Sequence, residues 1–266
     1  MDPSLASYVA VALIFLLMGL GVPVFGALAL AGAAGIIMVE DLAFLLARLK
    51  SLSYATTAVY TLTIIPLFIL MGSFAHQAEI GRKLFDVANR WVGHLPGGLA
   101  MASILTSAGF AATSGSSVAT AATVGSVAIP EMKKAGYEPS LSAGAVAAGG
   151  VLGVLIPPSV LLIFYAALTE TSAGKMLIAG FVPGLLTTIV FMLGIFLIAR
   201  KGASRRAVSP RSSWLEAVKS TTQAWQVVVL FLVVMGGIYL GIMTPTEAGA
   251  LGAFVALLML LGRRAA

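Results

Sequence analysis

The chain has 266 residues, 59% of them hydrophobic and only 10% charged, with a net charge of +6 and no cysteine. A mean hydropathy of +1.04 excludes an ordinary soluble domain, in which about a quarter of residues are charged. The absence of cysteine excludes disulfides, thiolate metal sites and cysteine nucleophiles, and the basic residues lie in short loops between apolar runs, where they orient membrane spans instead of binding nucleic acid. At about 20 residues per spanning helix, the length accommodates about seven crossings. The first apolar run lacks a basic flank and continues into a second, so no cleavable signal is expected.

In chain order, Leu5 to Leu20 and Val24 to Val39 read as two spans joined by the tight turn Gly21-Val22-Pro23. Asp41 to Ser53, with Arg48 and Lys50 on a leucine-rich stretch, suits an amphipathic arm along the membrane surface. Thr56 to Phe74 is a third span, interrupted by Pro66. Ala75 to Leu95 carries His76, Glu79, Arg82, Lys83, Asp86, Arg90 and His94 and reads as a polar loop or surface helix, both histidines solvated. Ser140 to Leu168 is a span broken at Pro157-Pro158, and Met176 to Ala199 is another span. A hydrophilic connector from Arg200 to Lys219 leads to a final pair, Val227 to Met243 and Ala248 to Leu261, with Glu247 capping the last span. The expected organisation is scaffold helices and arm (1–75), a polar cytoplasmic segment (76–96), a transport-type unit (97–199), a connector (200–222) and the last two helices (223–266).

The stretch between Pro96 and Pro130 has no ionisable side chain, yet Thr113-Ser114-Gly115-Ser116-Ser117-Val118-Ala119-Thr120 puts hydroxyls and a helix breaker at its midpoint. Non-helical backbone at membrane depth survives only where protein buries it or a wet cavity lines it. The pattern predicts a re-entrant helical hairpin over 97–130 whose tip meets something polar. With that hairpin, Arg82, Lys83, Arg90, Lys133, Lys134, the six Lys/Arg from Arg200 to Lys219, Arg263 and Arg264 share one side, leaving only Arg48, Lys50 and Lys175 opposite. A single crossing also obeys the positive-inside rule, so charge leaves both topologies open. The hairpin reading puts the N-terminus outside and the C-terminus in the cytoplasm.

A second break lies in Gly149-Gly150-Val151-Leu152-Gly153-Val154-Leu155-Ile156-Pro157-Pro158-Ser159. The prolines remove amide donors and clash with the preceding turn, so carbonyls near Gly153 to Leu155 need another partner. Oxygen donors without charge suit a monovalent cation such as sodium better than calcium, which recruits carboxylates. The candidate sodium ligands are Ser114, Ser116, Ser117, Gly150, Gly153 and Ile156. Gly115, Thr120 and Ser159 are candidates for substrate contact, and Gly149, Pro157 and Pro158 mark the break. Small residues also pack helices closely in lipid, and Gly149 to Gly153 has that spacing. No Walker loop, metal-ligand cluster or nucleophile–base arrangement is present, so no enzymatic activity or cofactor is expected beyond sodium as coupling ion.

Ser114-Gly115-Ser116-Ser117, Ile129-Pro130-Glu131-Met132, Gly136-Tyr137, Gly149-Gly150 to Pro157-Pro158-Ser159, Ala179-Gly180-Phe181-Val182-Pro183-Gly184 and Thr244-Pro245-Thr246-Glu247-Ala248 follow one another across most of the chain. In these stretches it resembles the large membrane subunit of tripartite ATP-independent periplasmic (TRAP) transporters. The resemblance implies an all-α inner-membrane protein, the first half of an inverted-repeat, sodium-coupled elevator for an organic anion such as a C4-dicarboxylate, another carboxylate or sialic acid. It implies two partners, a periplasmic substrate-binding protein and a small four-helix membrane subunit. It also places one sodium site between the hairpin tip and the broken helix. The family's large subunit is longer, with a second hairpin and second broken helix, whereas this sequence stops at Arg263-Arg264-Ala265-Ala266. The expectation is therefore a truncated or split subunit. A non-transporting membrane scaffold and another inverted-repeat dicarboxylate or citrate symporter remain alternatives.

Overall fold

A computed structural model describes residues 2–58, 60–201 and 213–265. Among them the regular structure is helical, and no strand occurs. The chain divides into two units, Met1–Val59 and Tyr60–Ala266.

The first unit holds α1 (Pro3–Gly19), α2 (Val24–Val39) and α3 (Leu42–Thr57). Asp2 caps α1 by accepting from Ser4 N, with Pro3 in the first turn where a missing N–H costs nothing. Gly21, at φ 84°, turns the chain so that α2 packs back on α1. On α1 and α2 the buried residues are small, Ala6, Ala27 and Ala31, with Leu45 buried on α3, whereas most of the large apolar side chains point outward, as lipid-facing helices require.

The second unit begins with a 3-10 turn (Tyr60–Thr63) and α4 (Ile64–Gln77). The third span is thus not broken at Pro66. Proline is the third residue of α4, within the first turn, whose amides have no intrahelical acceptor, and the chain breaks earlier, after Thr57. α5 (Ile80–Val92) follows at 67° to α4 across Glu79, which is held at φ 55°. The polar segment is a helix that buries Ile80, Gly81, Phe85, Val87 and Ala88 and packs on the next element.

That element is a pair of arms of nearly equal length, α6 (Gly98–Ser114) and α7 (Ser117–Lys134). They fold back on each other, and both lie on α8 (Pro139–Leu155). The Tyr137 hydroxyl, just past α7, accepts from Leu99 N at the start of α6 at 3.3 Å. Entry and exit of the segment are therefore neighbours. α9 (Val160–Leu168) continues α8 at a 44° bend, and α10 (Ala173–Lys201) packs against both.

The helical stretch Trp214–Tyr239 comprises α11 (Trp214–Thr221), a 3-10 turn, α12 (Trp225–Phe231), a π turn and α13 (Gly237–Tyr239). It begins inside the region read as connector, because Ser213 and Glu216 form a capping box there. Residues 202–212 of that connector lie outside the described residues. Last comes α14 (Pro245–Ala265), packed along α4. Glu247 caps it: its carboxylate accepts from Thr244 N at 2.8 Å and Thr244 Oγ1 at 2.9 Å.

Among the described residues, Ala173–Arg200, Trp214–Tyr239 and Pro245–Arg263 are each long and apolar enough to cross a membrane, as are the α4–α5 and α8–α9 pairs if each is one span. α1, α2 and α6 are shorter and also apolar. The fold is all-α and that of a polytopic membrane protein.

Candidate functional site

The two predicted breaks meet. At the hairpin tip α6 ends on Gly115 at φ 62°, which leaves the helical ladder without a Cβ penalty. Ser116 is extended, and its Oγ accepts from Ala119 N at 3.3 Å to start α7. Across from it α8 ends at Leu155, the Pro157-Pro158 peptide is cis, and Ser159 accepts from Leu162 N at 3.3 Å to start α9. The breaks are joined by backbone: Val160 N donates to Gly115 O at 3.0 Å.

Glycine makes this approach possible. A Cβ on Gly115 would stand 2.5 Å from Pro158 O. One on Gly153 would stand 2.8 Å from Ser116 C and O and Ser117 N, and one on Gly150 would stand 2.9 Å from the Ala121 Cβ and 3.3 Å from Ser117 O. Gly149 faces the Ser107 side chain lower on α6. Any side chain at 115 or 153 would push the tip off the break.

Four helix ends converge here. α6 and α8 bring C-terminal carbonyls with partial negative charge, and α7 and α9 bring N-terminal amides with partial positive charge. The stretches Pro96–Pro130 and Pro139–Thr169 contain no Asp, Glu, His, Lys or Arg, so the charges these elements bring to the junction are the partial charges of helix ends. Among the described residues no three His, Cys, Asp or Glu side chains gather as a metal cluster.

The candidates sort by position. Ser116, Ser117, Gly150 and Gly153 lie together at the junction, and Ser116 and Ser117 are partly exposed. Ser114 is buried and hydrogen-bonds Thr120 at 3.0 Å, tying the arms together beneath the tip. Gly115, Thr120 and Ser159 are buried, the two hydroxyls engaged in local hydrogen bonds. Ile156 turns toward α10, with its Cα and N 3.3 Å from where a Cβ on Gly184 would stand.

Other contacts escaped the sequence reading. A Cβ on Gly72 of α4 would stand 2.8 Å from Ser114 Cα, so α4 backs the tip directly. A Cβ on Gly180 of α10 would stand 2.7 Å from Leu155 O, and Gly180 with Gly184 seats the break. Their four-residue spacing was a usable signal. His76, expected to be solvated, is exposed but its Nδ1 lies 2.7 Å from Thr123 Oγ1, linking the end of α4 to the returning arm.

Broken helices whose ends meet in an apolar fold define a class of membrane transport proteins, and a helical hairpin docked on a broken helix is such an arrangement. Residues 11–265 match the family described as "Tripartite ATP-independent periplasmic transporter, DctM component". The chain belongs to this family. It is 47% identical over 208 residues to the C4-dicarboxylate TRAP transporter large permease protein DctM of Pseudomonas aeruginosa, covering 77% of this chain and 48% of that one. The isethionate TRAP transporter permease protein DctMQ of Oleidesulfovibrio alaskensis is 38% identical over 97% of this chain and 39% of its own. The sialic acid TRAP transporter large permease protein SiaM of Vibrio cholerae is 35% identical over 75% and 46%, respectively. The chain spans about half the length, or less, of these relatives.

Proposed function

We propose that this chain forms the first half of the permease of a sodium-coupled, binding-protein-dependent transporter that imports an organic anion. The observation that carries the reading is the junction itself, where Gly115 O and Val160 N join two broken elements that share four helix ends. Helix C-termini and carbonyls freed by the breaks offer a dehydrated sodium ion uncharged oxygens, with Ser116 and Ser117 beside them. The N-termini of α7 and α9 attract a carboxylate or sulfonate nearby. Sodium in place neutralises the carbonyl ends and so favours the anion, which couples the two.

The names of the relatives support an anionic cargo: a C4-dicarboxylate, isethionate and sialic acid are all acids. The hairpin, α8 and α9 interlock through backbone, which suits their moving together as the elevator that the family resemblance implies. A periplasmic substrate-binding protein delivers the cargo, and a small four-helix membrane subunit braces the scaffold; nucleic acid plays no part. The protein sits in the inner membrane with its N-terminus periplasmic and its C-terminus cytoplasmic.

Uptake assays on a complete transporter carrying this segment test the reading. Ser117→Ala should raise the sodium concentration needed for half-maximal uptake, and Gly153→Leu should abolish uptake at unchanged membrane abundance. Uptake indifferent to sodium would refute the coupling. A Gly153→Leu transporter with normal uptake would refute the junction as the site.

A further inference from the structure

A groove of about 540 Å³ that shares no lining residue with the junction is lined by Lys83 of α5, Trp225, Gln226 and Val229 of α12, and Val255, Leu258, Met259, Gly262 and Arg263 of α14. Its two ends differ chemically. One end carries Lys83, Gln226 and Arg263. The rest is apolar and runs along α14 from Gly262 to Val255, on the order of 10 Å at 1.5 Å per residue.

The polar end carries excess positive charge. Arg263 binds Glu79 at 2.6 Å and donates to Gln77 O at 3.0 Å, but Arg82 and Lys83 lie within electrostatic reach of that same carboxylate. Arg82 also faces Asp86 and does not line the groove, whereas Lys83 does line it and forms no ion pair among the described residues. Lys83 donates to Gln226 Oε1 at 3.0 Å, which fixes the amide orientation because lysine only donates. Gln226 is 5% exposed, and its Nε2 has no hydrogen-bond partner among the described residues. The Nε2 donor is therefore free to meet an acceptor that enters the groove.

We propose that this groove is a binding site for an anionic phospholipid, its phosphate at Lys83, Gln226 and Arg263 and one acyl chain between α12 and α14. A phosphate diester supplies an acceptor for Gln226 Nε2 and a counter-charge for Lys83, with Arg263, already paired to Glu79, beside it. The acyl chain covers Val229, Val255, Leu258 and Met259. Trp225, half exposed at the rim, sits where an aromatic side chain meets the headgroup layer. Basic pockets between spanning helices are a recurrent form of lipid recognition. A free anion would leave the apolar length empty, and a protein helix would bury Lys83 without a counter-charge unless it brought one.

The test uses the purified chain in nanodiscs containing a trace of photoactivatable phosphatidylglycerol or, separately, the matching phosphatidylcholine. Labelling should fall on the peptides bearing Val229 and Leu258 or Met259, with phosphatidylglycerol favoured about fivefold, the weight of one cation against an anionic surface. Lys83→Gln, which removes the charge but keeps a donor for Gln226 Oε1, should erase that preference. Val255→Trp should remove the labelling from both peptides while circular dichroism stays helical. Equal labelling by both lipids, or labelling unchanged in Lys83→Gln, overturns the proposal. A photoreactive side chain at Leu258 that captures polypeptide in place of lipid assigns the groove to a protein helix and also overturns it. None of these readouts depends on transport.

Discussion

At the scale of single residues, the junction is held by the absence of side chains. Gly153 stands against the Ser116–Ser117 backbone at distances no Cβ tolerates, whereas Gly144, on the same helix, has nothing within 4 Å. Gly153→Ala should lower stability by about 1–3 kcal/mol through overpacking. Gly144→Ala should be neutral or stabilising by up to about 1 kcal/mol, because only helix propensity changes. Thermal unfolding of the two variants in detergent checks the contrast, and equal midpoints would contradict it. Glu247 is a second residue-scale device. Its carboxylate accepts from Thr244 N at 2.8 Å and from Thr244 Oγ1 at 2.9 Å, closing the first turn of α14. Glu247→Ala should therefore raise amide exchange in that turn relative to mid-helix amides, and unchanged exchange would contradict the cap.

At the scale of elements, both breaks were legible because each is a local conflict. Gly115 among hydroxyls and paired prolines after Gly153 cannot continue a helix in an apolar run, whatever surrounds them. The start of α11 was less legible, since the Ser213–Glu216 box falls in a stretch whose charge reads as loop. The seats of the junction, Gly72 on α4 and Gly180 with Gly184 on α10, were not recognised. Small residues far apart in sequence say that something approaches, not what. The link from His76 to Thr123 was hidden for the same reason. The Tyr137–Leu99 hydrogen bond closes the base of the hairpin, so both ends of residues 98–134 should face one side of the membrane. With no native cysteine, single cysteines at His94 and Glu138 should react with an impermeant maleimide from the same side. Reaction from opposite sides would make the segment a crossing.

At the scale of the whole molecule, the junction and the groove lie within one unit, the first built from helix ends and glycines, the second from apolar side chains with Lys83 and Arg263 at one end. The membrane class was legible from composition alone, because burying so few charges among so many apolar residues leaves no soluble solution. The meeting of the tip and the break was expected, but its seats on α4 and α10 were not, since they depend on packing at glycine distance between elements far apart in sequence. The central claim is that this meeting point binds sodium, and binding of radioactive sodium to the purified chain measures it directly. Binding should be saturable and displaced by unlabelled sodium but not by potassium. It should be weakened in Ser117→Ala and absent in Gly153→Leu, with Gly144→Ala unchanged. No saturable binding, or identical binding in Gly153→Leu, would contradict the account and leave the glycines with a packing role alone.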